Sequence, residues 1–129
     1  MKAYDRYRKA VLEKIAPHGG YTKNGRVTYK IDGKHYHIRV DGGQLPKYRF
    51  NINPTVLAAD YEVYVCGTDD LYYLIPVELI RKMNSDPTAW PDHRNPGYTD
   101  IDVYPGDDII KYGRSGKTLK IGQYRNTTV

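Results

Sequence analysis

The sequence predicts a single α+β domain, and three observations lead to this fold class. Residues 2–16 repeat apolar side chains at the spacing of an amphipathic helix. Residues 26–52 instead alternate polar and apolar side chains, which is the pattern of half-buried strands. A further pair of apolar strand segments within 61–75 leads into a second helical pattern. We therefore expect an N-terminal helix, an antiparallel or mixed sheet of about five strands, and a second helix.

The first helix is predicted by Tyr4, Tyr7, Val11 and Ile15, which fall on one face of a helical wheel. Charged side chains occupy the other positions, so this face is expected to pack on the sheet. Pro17 ends the helix, since proline removes a backbone donor and clashes with the preceding turn.

Three strands are expected next, and they should form an antiparallel meander over residues 26–52. The first two flank Asp32-Gly33, a two-residue hairpin turn in which both positions tolerate positive φ. The third follows a loop containing Gly42-Gly43 and Pro46. Alternation then gives one apolar face for the core. Its members are Val27, Tyr29, Ile31, Tyr36, Ile38, Val40, Tyr48, Phe50 and Ile52.

The second half of the chain predicts a more deeply buried hairpin, 61–65 with 71–75, because both segments are rich in Tyr, Val, Leu and Ile. Pro76 suits the first turn of a helix that runs to Met83. Weaker strand patterns follow at 101–104 and 109–112. We expect residues 1–129 to form one domain with a flexible basic tail from about residue 113.

Composition limits the protein class. Lys and Arg number 20 against 15 Asp and Glu, which gives a net charge of +5 and suits a polyanionic partner. The N-terminus lacks the apolar core of a signal peptide, no apolar stretch is long enough to span a membrane, and the single cysteine cannot form an internal disulfide. These features predict a cytoplasmic protein without a membrane partner, and leave a homodimer open.

The second face of the predicted meander carries basic and hydrogen-bonding side chains and no acid. Like charges opposed across strands repel, so such a face indicates either a solvated surface that discourages edge pairing or a surface that meets an anion. The nine positions are Arg26, Thr28, Lys30, His35, His37, Arg39, Lys47, Arg49 and Asn51. Seven of these are the predicted nucleic-acid contacts, namely Arg26, Lys30, His37, Arg39, Lys47, Arg49 and Asn51.

Other chemistry-bearing residues give weaker signals. His35 and His37 have the H-x-H spacing of some zinc ligands, but cationic neighbours disfavour a dication, so we predict no bound metal. Cys66 follows a strand and has no identifiable base, which favours a small buried residue over a nucleophile. Asp100 and Asp102 share a strand face, where we expect solvated acids rather than a cation site.

Two segments of the chain resemble the PD-(D/E)XK nuclease superfamily, in particular its small Holliday-junction-resolvase-like and intron-homing members. The first is Tyr29–Val40, which looks like the hairpin that leads into that group's catalytic strand. The second is Tyr61–Val65 with Leu71–Val77, which looks like its tyrosine-valine, turn, isoleucine-proline-valine segment. The resemblance covers residues 26–80 and implies a restriction-endonuclease-like fold.

The catalytic positions of that superfamily do not match. The resemblance implies an acid before the hairpin and, on the second strand, an acid or glutamine, a spacer and a lysine, which serve to hold Mg²⁺ and to position the attacking water. Here the second strand offers Arg39-Val40-Asp41, and an arginine cannot ligate Mg²⁺. The implied protein is a nuclease-like scaffold with a degenerate active site. Asp32, Asp41 and Glu62 are the remaining candidates for displaced catalytic acids.

The leading hypothesis is therefore a domain that binds nucleic acid, DNA in preference to RNA, through the basic face and without a cofactor. A second hypothesis is an active Mg²⁺-dependent endonuclease that uses displaced acids. A third is a small regulatory or protein-interaction module of a mobile element or phage, whose basic face meets an acidic protein. Whether the chain is an enzyme stays open at this point.

Overall fold

The computed structural model describes residues 3–17 and 19–128, and these form two α-helices and ten strands in two sheets. The predicted α+β class is confirmed. The helices are α1 (Ala3–Ile15) and α2 (Val77–Ser85). The strands are β1 (Thr22–Lys23), β2 (Thr28–Ile31), β3 (Lys34–Asp41), β4 (Tyr48–Ile52), β5 (Tyr61–Cys66), β6 (Tyr72–Pro76), β7 (Trp90–Pro91), β8 (Thr99–Tyr104), β9 (Ile109–Gly113) and β10 (Lys117–Lys120). Short 3-10 segments span Pro54–Ala58 and Gly122–Tyr124. Neither α-helix in this part of the chain is long and apolar enough to cross a membrane.

The first sheet has the strand order β1-β2-β3-β5-β6. The predicted β2–β3 hairpin is confirmed, with Asp32 and Gly33 at φ +49° and +81° in its turn. The predicted β5–β6 hairpin is also confirmed. β3 and β5, however, pair in parallel, so β5 is a central strand covered on both faces. This double burial explains its nearly unbroken apolar sequence.

The second sheet has the order β10-β9-β8-β4, with β7 also pairing β8. The predicted three-stranded meander over 26–52 is therefore wrong in its third strand. After the loop of residues 42–47, β4 leaves the first sheet and pairs antiparallel with β8. The side chains of β4 are thereby carried to a different layer from those of β2 and β3.

Two cores follow from this arrangement instead of the one predicted apolar face. α1 packs Val11, Leu12 and Ile15 on one face of the first sheet, together with Tyr29 and Tyr36. The other core lies between the two sheets and α2. It contains Tyr48, Phe50, Ile52, Tyr64, Ile80, Met83, Ile101, Val103 and Ile121.

The segment from residue 113 is not the frayed tail that the sequence predicts. It forms β10 against β9, and Ile121 is fully buried in the core between the sheets. Asn126 accepts a hydrogen bond from the Tyr72 amide at 2.9 Å, which ties this segment to β6. The segment is short and basic, but one apolar residue and one amide are sufficient to anchor it.

Candidate nucleic-acid interface

A cleft of about 380 Å³ lies where β3 of the first sheet faces β4 of the second. α1 contributes Arg8 to its wall, and the loop before β8 contributes Tyr98. The complete lining is Arg8, Arg26, Val27, His37, Arg39, Asn51, Asn53 and Tyr98. Because β3 side chains alternate, His37 and Arg39 point to the same face of the strand, and this places both in the cleft.

His37 is paired with a carboxylate beneath the cleft floor. It lies opposite Glu62 in the parallel β3–β5 register, so the two side chains project from the same face. Nδ1 of His37 lies 2.7 Å from Oε2 of Glu62, and the side chains are only 4% and 2% exposed. With Glu62 ionised, Nδ1 carries the hydrogen and donates it, because a carboxylate only accepts. The bond fixes the ring and directs Nε2 away from Glu62.

Arg39 joins the two sheets across the cleft. Its Nη2 donates to Oδ1 of Asn51 at 2.8 Å, and its Nη1 donates to the Asn51 carbonyl at 3.2 Å. No carboxylate of the described residues forms an ion pair with Arg39. The guanidinium is therefore held in place by neutral acceptors and keeps its full charge toward the cleft.

Arg8 and Arg26 complete the cationic wall. Arg8 donates from Nε to the Ile38 carbonyl at 3.1 Å and pairs through Nη1 with Asp5 at 3.1 Å. Arg26 is exposed and makes no hydrogen bond or ion pair with any residue that the structure describes. Arg8 and Arg39 are held in place by these bonds, whereas all five N–H donors of Arg26 are available to a ligand.

A second hollow of about 160 Å³ adjoins the cleft and shares Arg39 and Asn51 with it. Arg49, Arg94 and Asp100 also line it. Burial raises the pKa of Asp100, and the negative charge of Asp92 adds to this effect. Cleft and hollow together are lined by five arginines and one acid. Three of these arginines form ion pairs: Arg8 with Asp5, Arg49 with Asp102 and Arg94 with Asp92. The positive charge of the groove that no carboxylate of the described residues offsets therefore belongs to Arg26 and Arg39.

Arg49 contributes less free charge than the sequence predicts. Its Nε and Nη2 donate to the two carboxylate oxygens of Asp102 at 2.8 and 3.2 Å, and this hydrogen bonding raises the pKa of Arg49. Burial alone would raise the pKa of Asp102, but bonds and charge from Arg49 and Lys47 outweigh it and lower that pKa. Asp102 is buried rather than solvated, so the prediction of a solvated acid is wrong.

Four of the seven predicted contact residues meet in the cleft, namely Arg26, His37, Arg39 and Asn51, and Arg49 lines the adjoining hollow. Lys30 and Lys47 line neither space: Lys30 is exposed on β2, and Lys47 lies 3.4 Å from Asp102. The expectation of one outward face without an acid is wrong. Glu62 from β5 and Asp102 from β8 supply acids that only the tertiary pairing brings near, and His37 is buried.

The sequence reasoning missed Arg8, Asn53, Tyr98 and Arg94. Only Arg8 carried a signal that could have identified it. It lies one turn before Leu12, a fully buried residue of α1, so it belongs to the face of the helix that meets the sheet. A charged residue on that face must find a polar partner or a cleft.

The three candidate acids do not converge. Asp32 occupies the β2–β3 turn, and Asp41 accepts hydrogen bonds from the amides of Gly43 and Arg49. Glu62 lies opposite His37, and Asp41 is four residues beyond His37 along β3. Asp41 and Glu62 are therefore roughly 13 Å apart. Among the described residues no three His, Cys, Asp or Glu side chains form a metal-holding group. That His35 and His37 bind no zinc stays a prediction.

Cys66 is buried at the end of β5, as predicted. Burial raises the pKa of its thiol to about 12, with a smaller contribution from Asp41. A thiol held in its neutral form is a poor nucleophile, so Cys66 belongs to the core rather than to the site.

No family model, curated protein or solved structure matches the chain. The likeness to the PD-(D/E)XK superfamily therefore stays a prediction.

Proposed function

We propose that the cleft between β3 and β4 binds the sugar-phosphate backbone of a nucleic acid. The observation that carries this proposal is the convergence of Arg8, Arg26 and Arg39 on one concave surface. Arg26 and Arg39 have no carboxylate partner among the residues that the structure describes. Unneutralised guanidinium groups repel one another, so their grouping is favourable chiefly when an anion joins them.

A phosphate is the anion that best suits these groups. The planar guanidinium offers parallel N–H donors that match two phosphate oxygens, and the hydrogen bonds are charge-assisted. The adjoining hollow adds Arg49 and Arg94, which pair with aspartates but stay 53% and 87% exposed. Their remaining N–H donors suit a chain of phosphates better than a single ion. Tyr98 at the rim supplies an aromatic ring on which a base can stack.

The dimensions favour a single strand in the cleft. A volume of about 380 Å³ lies at the lower end of the range for small-ligand pockets, which suits one nucleotide rather than a duplex. Backbone contacts carry no sequence information, so we expect binding without sequence preference. The same contacts are available to DNA and RNA.

The test is a salt series of fluorescence anisotropy with single-stranded DNA, single-stranded RNA and duplex DNA. Arg26→Ala is the sharpest variant, because Arg26 is exposed and has no hydrogen bond or ion pair to lose among the residues that the structure describes. We expect it to weaken binding about tenfold at low salt, the effect of one charge-assisted hydrogen bond, and to reduce the slope of log K against log salt by about one.

Arg114→Ala is the matched control. Arg114 is exposed in the turn between β9 and β10, two strands away from β4, and its removal changes the net charge equally. It should leave binding nearly unchanged. Absence of binding to all three polymers at low salt, or an equal effect of the two variants, would refute the proposal and favour an acidic protein as partner.

A further inference from the structure

We infer that the cleft cleaves single-stranded RNA without a metal ion, with Nε2 of His37 as the general base. This inference rests on the proposed function, since the cleft must first hold the phosphodiester. The inference starts from the pairing of His37 with Glu62, which binding of a phosphate backbone does not require. Imidazole is the side chain that most often transfers protons in catalysis, and here it lies in an arginine-lined cleft with a buried carboxylate behind it.

The geometry leaves one ring nitrogen for a substrate. Nδ1 of His37 is bonded to Glu62, so Nε2 lies on the side of the ring that points away from Glu62. His37 is buried, but it is among the residues that line the cleft. The reactive nitrogen therefore faces the space in which the backbone is proposed to lie.

Arg39 supplies the second requirement, which is stabilisation of charge on the phosphate, while Arg26 contributes to binding. Arg39 lies two residues beyond His37 on the same face of β3, roughly 7 Å along the strand. That separation lets a phosphate bound by the guanidinium place an adjacent sugar beside the imidazole. Fixed donors at the non-bridging oxygens stabilise the transition state more than the ground state, because negative charge develops on these oxygens as the reaction proceeds.

The reaction is an internal transesterification. The 2′-hydroxyl oxygen attacks the adjacent phosphorus, and Nε2 of His37 takes the hydroxyl proton. The bond from phosphorus to the 5′-oxygen breaks, and that oxygen takes a proton from water. The products are a 2′,3′-cyclic phosphate and a 5′-hydroxyl end, and the imidazolium returns its proton to the hydroxide so formed. Glu62 acts as a positioning residue that orients the ring and stabilises the imidazolium.

The substrate class follows from this step. DNA lacks the 2′-hydroxyl, so it can occupy the cleft but cannot react. A duplex would hold the 2′-hydroxyl away from in-line attack, whereas a flexible single strand can adopt the required geometry. The cleft volume of about 380 Å³ favours the same choice.

The experiment uses the full chain and a 5′-labelled DNA oligonucleotide that contains one ribonucleotide, with an all-DNA oligonucleotide of equal sequence as control. Both are incubated with the protein in EDTA. We expect a single cut after the ribonucleotide, a cyclic phosphate end on the labelled product, and no cut in the all-DNA strand. Anisotropy with the all-DNA strand reports binding separately from cleavage.

Two variants assign the roles. His37→Asn keeps an amide donor near the position of Nδ1, so it can still bond to Glu62, but it has no base. We expect kcat to fall by about 10² to 10⁴ with KM changed only a few-fold. Glu62→Gln keeps an acceptor and loses the charge, and it should lower kcat by less, again with KM nearly unchanged. Arg26→Ala should instead lower kcat/KM mainly through KM, and Arg114→Ala should match the parent.

Binding of the all-DNA strand without cleavage of the ribonucleotide substrate would overturn this inference and leave the proposed function intact. Absence of binding would overturn both. Cleavage that EDTA abolishes, equal cleavage of the all-DNA strand, or an unimpaired folded His37→Asn variant would also overturn it. If circular dichroism shows His37→Asn to be unfolded, the cyclic phosphate product and the KM effect of Arg26→Ala decide the question.

Discussion

Arg49 and Arg39 both project from predicted basic strands, yet the structure predicts opposite consequences when each is replaced by alanine. Arg49 donates two hydrogen bonds to Asp102, whose side chain is 4% exposed, while that of Arg49 is 53% exposed. A hydrogen bond to a charged group contributes about 1.5–3 kcal/mol, and solvent screening of the half-exposed arginine reduces this. For Arg49→Ala we expect a loss of about 2 kcal/mol in the free energy of unfolding, or about 7 °C in Tm.

The effect should depend on pH, with a sign fixed by Asp102. Its pKa in the folded protein is lowered, because bonds from Arg49 and Lys47 outweigh the effect of burial. A lowered carboxyl pKa stabilises the fold above the unfolded value of about 3.9, and this stabilisation is lost as pH falls through the lower folded value. The cost of Arg49→Ala should therefore be full at pH 7 and shrink below about pH 4.

Urea unfolding of the parent, Arg49→Ala, Asp102→Asn and the double variant gives the coupling energy between the two side chains. Arg114→Ala serves as the exposed control and should stay within about 0.5 kcal/mol of the parent. A coupling energy below about 0.5 kcal/mol at pH 7, or a cost of Arg49→Ala that is the same at pH 3, would refute the reasoning. By contrast, Arg39→Ala loses bonds only to neutral acceptors and should act mainly on binding.

Three further predictions concern the core. Tyr64→Phe removes a buried hydroxyl that has no partner among the described residues, so the free energy of unfolding should rise by about 1 kcal/mol in urea titration; a loss would contradict this. Ile121→Ala should cost about 2–5 kcal/mol by the same measurement, because the residue is fully buried, whereas a mobile tail would give no change. Cys66 should react with a thiol reagent at pH 8 far more slowly in the native protein than in urea, since burial raises its pKa to about 12. Equal rates would show that the thiol is accessible.

The sequence predicted those parts of the fold that depend on local chemistry. Alternation and the Asp32-Gly33 turn specified the β2–β3 hairpin, because turn geometry fixes the register of adjacent strands. Alternation also identified β4 as a strand but could not name its partner. The alternating pattern of β4 is compatible with pairing to more than one strand, so the sequence does not show which strand is its neighbour. The actual partner, β8, lies far along the chain. The parallel pairing of β3 with β5 was hidden for the same reason.

In the candidate site, too, the residues that local spacing brings together were predictable, and those that tertiary pairing brings together were not. Arg39 and His37 share a strand face by their spacing alone, so their neighbourhood was predictable. Their partners were not, because Glu62 reaches His37 through a parallel register and Asp102 reaches Arg49 through the second sheet. Local patterning thus identified Arg26 and Arg39 but missed Arg8. It also missed the pairings of Glu62 with His37 and of Asp102 with Arg49.

The pairing of β4 with β8 has a consequence for how the chain folds as it is made. Arg49 and Asp102, which are opposite each other in this pairing, are 53 residues apart. At 5–20 residues per second, a ribosome needs about 3–10 s to supply the partner strand. During that interval β4 exposes Tyr48, Phe50 and Ile52 beside unpaired backbone groups, which is the form of strand that associates with other chains. The nascent protein should therefore depend on holding chaperones in this window, and slower translation between β4 and β8 should lower its soluble yield.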